Sequence, residues 1–141
     1  MAHTNPFPTA VELGTLDGTD GFALLGDIAG DLSGFSVSSA GDVNGDGIDD
    51  IIVGAFAADP DGRGDAGVSY VVYGDTAGFG ASLNLGALDG TDGFTLLGAS
   101  TGDLSGFSVA AGGDVNGDGV DDLLVGAHRA KPGGRSDAGA S

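Results

Sequence analysis

The sequence superimposes on itself when it is shifted by about 72 residues. Residues 16–22 (LDGTDGF) return as residues 88–94, and residues 30–37 (GDLSGFSV) return as residues 102–109. Over residues 13–69, roughly 40 of about 57 positions match their partners without a gap. The two halves of the chain are therefore expected to fold in the same way, and the fold is expected to consist of repeated units.

Each repeat predicts short β-strands rather than helices. Glycine interrupts every apolar run, and glycine is unfavourable inside a helix. The run at residues 50–55 (DIIVGA) is wholly apolar at residues 51–53, which predicts a strand that is buried on both faces. The other strands predicted for this unit are residues 35–40, 67–73 and 94–98. Four strands separated by turn signals predict one four-stranded antiparallel blade.

Two acidic loops, at residues 42–50 and 114–122, share the spacing Asp-x-Asn-x-Asp-Gly-x-Asp-Asp. In such a loop the side-chain oxygens at positions 1, 3 and 5 point at a common centre, and the carbonyl at position 7 and the carboxylate at position 9 complete the shell. Oxygen ligands favour Ca²⁺ over Zn²⁺ or copper, so about two Ca²⁺ ions per chain are expected. The expected ligands are Asp42, Asn44, Asp46, the carbonyl of Ile48 and Asp50 in the first loop, and Asp114, Asn116, Asp118, the carbonyl of Val120 and Asp122 in the second.

Two other structures compete for these loops. An EF-hand or dockerin loop is followed by a helix, and an EF-hand has glutamate at position 12. Position 12 is Val53 in the first loop and Val125 in the second, and each valine lies in a β-branched or apolar run that ends in glycine. A polar Asx-rich turn that binds no ion is the other alternative. Asp49 and Asp121 are expected to remain outside the coordination shell.

The net charge is −17, from 21 acidic and 4 basic residues, and it repels nucleic acids and anionic membrane surfaces. No nucleic-acid partner is therefore expected. No stretch is long and apolar enough to be inserted in a membrane. Because the chain has no cysteine, Ca²⁺ would be the cross-link available to an extracellular or cell-surface protein. Residues 1–10 lack the charged-then-apolar pattern of a signal peptide.

Three motifs follow one another in each copy. They are residues 33–37 (SGFSV), the acidic loop and residues 52–55 (IVGA) in the first copy, and residues 105–109, the second loop and residues 124–127 (LVGA) in the second. Together they resemble the FG-GAP repeat of integrin α-subunit β-propellers and their bacterial relatives. The sequence departs from the family pattern in its Gly-Phe order and in Phe56 and His128, which replace the usual proline. The resemblance implies an all-β propeller in which the Ca²⁺ loop joins the first two strands of a blade.

The chain is expected to hold about two blades and to be circularly out of phase with them. Phe7 aligns with Phe79, so residues 1–26 are expected to form the outer strand of a neighbouring blade. Residues 27–98 are expected to form one complete FG-GAP blade. Residues 99–141 are expected to supply the first strands of a second blade.

Two further motifs have ordinary structural interpretations. Residues 63–65 spell Arg-Gly-Asp, the adhesive tripeptide that integrins recognise, but the second copy has Arg-Ser-Asp at residues 135–137. A loop that leads into a strand is therefore the favoured interpretation. The Asp-Gly-Thr-Asp-Gly segments at residues 17–21 and 89–93 are expected to be hairpin turns rather than weak cation sites.

The remaining chemically active side chains do not indicate a catalytic site. Asp31 and Asp103 are expected to be solvated loop residues. The alternative is that their carboxylates accept hydrogen bonds from backbone amides of the loop. His3 and His128 have no serine, cysteine or metal partner at a repeated position. No nucleophile elbow, phosphate loop or cysteine pair is present. The chain is accordingly not expected to be an enzyme.

These features lead us to expect a Ca²⁺-binding, non-enzymatic propeller unit with a structural, adhesion or protein-interaction role and a protein or carbohydrate ligand. Head-to-tail assembly into a closed homo-oligomer is expected, because about two blades leave open edges. Three chains would give about six blades and four about eight, and the trimer is favoured over the tetramer. The alternative is an accessory or partial domain of a larger propeller enzyme or adhesin.

Overall fold

The computed structural model describes residues 10–141, which are folded as short β-strands joined by tight turns. The strands are β1 (Ala23–Leu25), β2 (Ser36–Gly41), β3 (Asp50–Ala55), β4 (Val68–Val72), β5 (Ser82–Asn84), β6 (Gly93–Leu97), β7 (Ser108–Gly113) and β8 (Asp122–Gly126). Three-residue 3₁₀ helices lie at Leu13–Thr15, Pro60–Gly62, Leu85–Ala87 and Pro132–Gly134. None of the helices described in residues 10–141 has the length and apolar character to cross a membrane.

Strands β2, β3, β4 and β6 form one antiparallel sheet in that order, which we call blade 1. The sequence predicts the bounds of β3 correctly, and it predicts the other three strands to within one residue at each end. Strands β7 and β8 form a two-stranded antiparallel sheet, which we call the blade 2 hairpin. The predicted all-β fold built from antiparallel blades is confirmed. The sheets described in residues 10–141 do not themselves close into a ring.

The pairing of β1 with β5 was not predicted. These two strands run parallel, with Ala23 opposite Ser82 and Leu25 opposite Asn84. Beside them the rings of Phe22 and Phe79 stack with centroids 4.2 Å apart. Each strand has only three residues, and its partner lies far away in the sequence. Local periodicity therefore carries no signal for the pair.

Blade 1 is covered by apolar side chains on both faces. One face carries Val53, Tyr70 and Val72, against which Leu24 of β1 and Leu83 of β5 pack. The opposite face is a cluster formed by Ala40, Ile52 and Val71, against which Val109, Leu123 and Val125 of the blade 2 hairpin pack. The predicted burial of β3 on both faces is confirmed by the side chains of Ile52 and Val53.

The turn that precedes the blade 2 hairpin lies close to blade 1 and is hydrogen-bonded to it. The hydroxyl of Ser36 donates a hydrogen bond to the carbonyl of Gly106 at 2.8 Å, and the amide of Ser105 donates to the carbonyl of Ala66 at 2.9 Å. A Cβ atom at Gly54 would overlap the Gly106 carbonyl. Glycine at position 54 is therefore needed for this packing distance.

Part of the predicted segment division cannot be compared with the structure. His3 and Phe7 lie outside the described residues, together with the rest of residues 1–9. The division into residues 1–26, 27–98 and 99–141 remains a prediction.

Candidate metal centres

Each acidic loop joins the first two strands of its sheet. The first loop follows β2 and leads into β3, and the second follows β7 and leads into β8. A register shift between Ser39 and Gly41 precedes the first loop, and one between Ala111 and Gly113 precedes the second. The two loops are therefore held by the same local framework, as the repeat in the sequence predicts.

The side chain of Asp42 organises the first loop. Its Oδ1 accepts hydrogen bonds from the amides of Gly45 at 2.7 Å and Asp46 at 3.0 Å, and its Oδ2 accepts one from Gly47 at 2.8 Å. Asp114 accepts the corresponding three bonds in the second loop, at 2.6, 3.0 and 3.0 Å. These bonds curl the backbone around the first carboxylate in both loops.

Positions 3 and 5 continue this curl. The amide of Asp46 also donates to Asn44 Oδ1 at 2.9 Å, and the amide of Ile48 donates to Asp46 Oδ1 at 2.9 Å. Asn44 Nδ2 donates to Asp46 Oδ2 at 2.9 Å, which brings the two side chains together. The second loop repeats the two backbone bonds at Asn116 and Asp118.

Asp50 differs from the other loop aspartates because it is buried, with only 1% of its surface exposed. Its Oδ2 accepts a hydrogen bond from the amide of Val43 at 2.9 Å, and its Oδ1 accepts one from Gly74 at 2.7 Å. The carboxylate therefore ties the loop to the end of β4. In the second loop, Asp122 Oδ2 accepts bonds from Val115 at 2.8 Å and Asn116 at 3.3 Å.

The donor set of each loop suits a hard cation. It consists of carboxylate, amide and carbonyl oxygens, and a carboxylate oxygen that accepts one hydrogen bond keeps a second lone pair. Within residues 10–141, however, no three acidic or histidine side chains converge closely enough to form a ready-made metal-binding group. The ten predicted ligands remain a prediction.

Asp121 has a role that the sequence did not indicate. Its Oδ2 accepts a hydrogen bond from the amide of Asp42 at 2.9 Å, and its amide donates to the Asp42 carbonyl at 3.0 Å. The second loop is thereby joined to the first, across the junction between the blades. No local motif could reveal this contact, because the two residues are far apart in the sequence.

The prediction that Asp31 and Asp103 are solvated is wrong, because each is only 7% exposed. Asp103 Oδ2 accepts a hydrogen bond from the amide of Ser100 at 3.0 Å. The pKa of Asp31 is raised from its usual value of 3.8, first by burial and then by the nearby carboxylates of Asp59 and Asp27. The turns that follow Gly30 and Gly102 fold these side chains inward, and the sequence of a turn does not reveal the direction.

The two Asp-Gly-Thr-Asp-Gly segments form tight turns. Asp17 Oδ1 accepts a hydrogen bond from the amide of Thr19 at 2.9 Å, and Asp89 Oδ1 accepts the equivalent bond from Thr91 at 3.0 Å. Hydrogen bonds from each threonine lower the pKa of the aspartate that accepts them, and the threonine hydroxyl contributes most. Both segments are therefore turns, but neither joins two paired strands in the described structure, so the prediction of hairpins is wrong.

The side chains of Arg63 and His128 are engaged in local contacts. Arg63 Nε donates a hydrogen bond to the carbonyl of Gly98 at 3.2 Å, and Arg63 Nη1 lies 3.2 Å from Asp61 Oδ2. The Arg-Gly-Asp segment lies in the loop before β4, as the sequence predicts. The ring of His128 packs on Phe107 with centroids 4.5 Å apart.

Comparisons with known proteins agree with the repeated architecture. The FG-GAP repeat family matches residues 33–72 and 105–141. The chain is 36% identical over 105 residues to integrin alpha pat-2 of Caenorhabditis briggsae and 35% identical over 105 residues to integrin alpha pat-2 of Caenorhabditis elegans. Each match covers 74% of this chain but only 8% of the integrin.

Proposed function

Because the chain belongs to the FG-GAP repeat family, we propose that it is a Ca²⁺-binding, non-enzymatic β-propeller repeat unit that serves adhesion or protein interaction. The observation that carries this proposal is the repeated combination of an antiparallel sheet with an Asp-x-Asn-x-Asp-Gly loop between its first two strands. A protein or carbohydrate is the proposed ligand class, and an extracellular or cell-surface location is proposed from the similarity to integrins.

The chemistry of the loops supports Ca²⁺ as the ion. Asp42, Asn44 and Asp46 offer side-chain oxygens, and Asp42 and Asp46 carry charges that repel each other when no cation is bound. The backbone bonds to Asp42 hold the loop in a curled conformation. The same arguments apply to the second loop, so we propose two ions per chain.

A structural role for the ion is favoured over a catalytic one. Asp50, the proposed ligand at position 9, is already bonded to two backbone amides that belong to different segments of blade 1. An ion bound beside it would reinforce the connection between the loop and β4. This arrangement supports a cross-link in a chain without disulfides.

We also propose that copies of the chain assemble head-to-tail into a closed propeller. Within the part of the chain that the structure describes, blade 1 has four strands, whereas the blade 2 hairpin has two. Unpaired sheet edges favour association with further strands. Three copies remain the favoured number. The alternative, a partial domain of a larger adhesin or propeller enzyme, is supported by the much greater length of the integrins that the chain matches.

Isothermal titration calorimetry on protein stripped with a chelator tests the metal proposal. We expect binding of about two Ca²⁺ ions per chain, with no comparable heat from Mg²⁺. The double variant Asp46→Ala with Asp118→Ala should lose both sites, while Asp17→Ala with Asp89→Ala should keep them. An absence of Ca²⁺-specific heat in the wild-type protein would exclude the proposed metal binding.

A further inference from the structure

The junction between blade 1 and the blade 2 hairpin shows how one repeat unit receives the next. Ile52 of β3 is fully buried in the apolar cluster at this junction, and Val109 of β7 packs against that cluster. At one end the Ser36 hydroxyl donates a hydrogen bond to the Gly106 carbonyl, and at the other end the Asp121 carboxylate accepts one from the Asp42 amide. The apolar contact in the middle and the polar contacts at the ends therefore define one docking geometry.

Because the sequence is repeated, equivalents of the two apolar surfaces that meet at this junction also occur on the faces of blade 1 and of the hairpin that point away from it. Val37 is equivalent to Val109, and it lies on the face of blade 1 that points away from the hairpin, beside the part of that face that Leu24 and Leu83 cover. Leu124 is equivalent to Ile52, and it lies on the face of the hairpin that points away from blade 1. Val37 is 64% exposed and Leu124 is 51% exposed. We call these surfaces the Val37 face and the Leu124 face.

The polar groups of the junction recur on the same two faces. Asp49 is equivalent to Asp121, and Asp114 is equivalent to Asp42. Asp49 is exposed, and within residues 10–141 its carboxylate has no hydrogen bond to another group. The amide of Asp114 likewise makes no hydrogen bond within the described residues. One face thus offers the acceptor, and the other offers the donor.

The space on the Leu124 face also matches this docking geometry. A cleft of about 460 Å³ is lined by residues that include Phe107, Ser108, Gly126 and Gly139. Gly126 and Gly139 are equivalent to Gly54 and Gly67, whose missing side chains make room for Gly106 and Ser105 in the internal junction. The turn at residues 33–35 has the same sequence as residues 105–107, and the positive φ of Gly34 matches that of Gly106.

We propose that the Leu124 face binds the Val37 face of a second copy of this chain, in the geometry of the internal junction. In this interface Val37 packs on Leu124, and the Asp49 carboxylate of one copy accepts a hydrogen bond from the Asp114 amide of the other. The inference rests on the proposed head-to-tail assembly and specifies its contact. The other occupant of the Leu124 face would be an unrelated ligand, which would not require Val37 or Asp49.

Two assembly-blocking variants test the interface. Val37→Asp places a negative charge in one half of the contact, and Leu124→Asp places a negative charge in the other half, so the two altered faces also repel each other. Each variant should be monomeric by light scattering under conditions in which the wild-type chain is oligomeric. Both substituted positions are mostly exposed in the single chain, so both variants should keep the wild-type circular dichroism spectrum.

Mixing the two variants gives the decisive result. The Val37→Asp chain keeps an intact Leu124 face, and the Leu124→Asp chain keeps an intact Val37 face. An equimolar mixture should therefore form a heterodimer with one native contact. If both variants remain oligomeric like the wild-type chain, the proposed interface is wrong while the assembly stands. A wild-type chain that stays monomeric at every concentration would overturn both the assembly and the interface.

Asp49→Ala tests the polar contact separately, with the same heterodimer as the assay. Loss of a hydrogen bond to a charged acceptor should weaken the dissociation constant by about tenfold or more when the variant is made in the chain that supplies the Val37 face. The same substitution in the chain that supplies the Leu124 face should have no effect. Equal effects in the two chains would contradict the assigned contact, and Ca²⁺ titration of each chain would detect an indirect effect through the loop.

Discussion

The carboxylate of Asp121 lies 2.9 Å from the backbone amide of Asp42, and the Asp121 amide returns a hydrogen bond to the Asp42 carbonyl at 3.0 Å. The first residue of one acidic loop is thus held by the eighth residue of the other. This reciprocal pair couples the two candidate metal centres through the backbone, because Asp42 is also the residue whose carboxylate organises its own loop.

Asp121→Ala should destabilise the single chain. The substitution removes the acceptor for the Asp42 amide at a partly buried site, which should cost about 1–2 kcal/mol of unfolding free energy. Urea unfolding of a monomeric sample measures this loss. Asp49→Ala is the matched control, because Asp49 occupies the same position of the repeat and makes no corresponding bond within the described chain. Equal losses in the two variants would show that the reciprocal pair is not the cause.

Removal of Ca²⁺ should lower the melting temperature. An ion that binds only the folded state stabilises it by about 2.7 kcal/mol when its concentration is one hundred times the dissociation constant. The loop carboxylates also regain their mutual repulsion when the ion leaves. Calorimetric melting with and without chelator measures the shift, and the Asp46→Ala, Asp118→Ala double variant should show none. An identical melt in both conditions would make the loops irrelevant to stability.

Asp50→Ala should destabilise the protein even when a chelator is present. Asp50 is buried, and its loss would leave the amides of Val43 and Gly74 without their acceptor, at a cost of about 3 kcal/mol or more. In chelator, Asp46→Ala removes only exposed loop bonds, so it should cost much less stability than Asp50→Ala does. Unfolding of both variants in chelator separates the two roles. An Asp50→Ala variant as stable as Asp46→Ala in chelator would contradict the structural role of this carboxylate.

Asp31→Asn should stabilise the protein at neutral pH. Burial, together with Asp59 and Asp27, raises the pKa of Asp31 above 3.8, so ionisation of this carboxyl is less favourable in the folded state than in the unfolded state. The cost is absent below pH 3.8, grows as the pH rises through the raised pKa, and is constant above it. The stability advantage of the variant should follow the same course.

Urea unfolding of wild type and Asp31→Asn across this pH range tests whether the difference in unfolding free energy increases with pH. Asp103→Asn is the control, because Asp103 occupies the equivalent position and its carboxylate accepts a bond from Ser100. That variant should show no comparable gain. A stability difference for Asp31→Asn that shrinks as the pH rises would contradict the prediction.

Gly54→Ala should lower the stability of the single chain, whereas Gly126→Ala should prevent assembly. A methyl group at position 54 would overlap the Gly106 carbonyl, so Gly54→Ala should lower the stability of the single chain. A methyl group at position 126 would meet mainly the Ser108 hydroxyl, which can rotate away. Gly126→Ala should therefore fold normally but fail to assemble. Melting curves and light scattering on both variants would reveal any departure from this pattern.

Much of blade 1 could be predicted because its signals are local. The apolar run 51–53 lies between an acidic loop and a glycine. These flanking residues allow both ends of β3 to be predicted correctly. The loop bonds around Asp42 likewise follow from the Asx spacing. The β1–β5 pair, the Asp121–Asp42 contact and the burial of Asp31 depend on groups that meet only after folding. No window of the sequence contains both partners, so these features required the structure.

The parallel pairing of β1 with β5 also has a consequence for the order of folding. Residues 26–81 separate the two strands, and they contain β2, β3 and β4. During synthesis β1 emerges before β5, and this partner appears only after those three strands have left the ribosome. Closing so long a loop costs entropy, which is smallest once the intervening segment has become compact. Although β1 is made before its partner, it is therefore expected to reach its native place late, and pulsed hydrogen exchange should detect protection of the Ala23–Leu25 amides after that of β3.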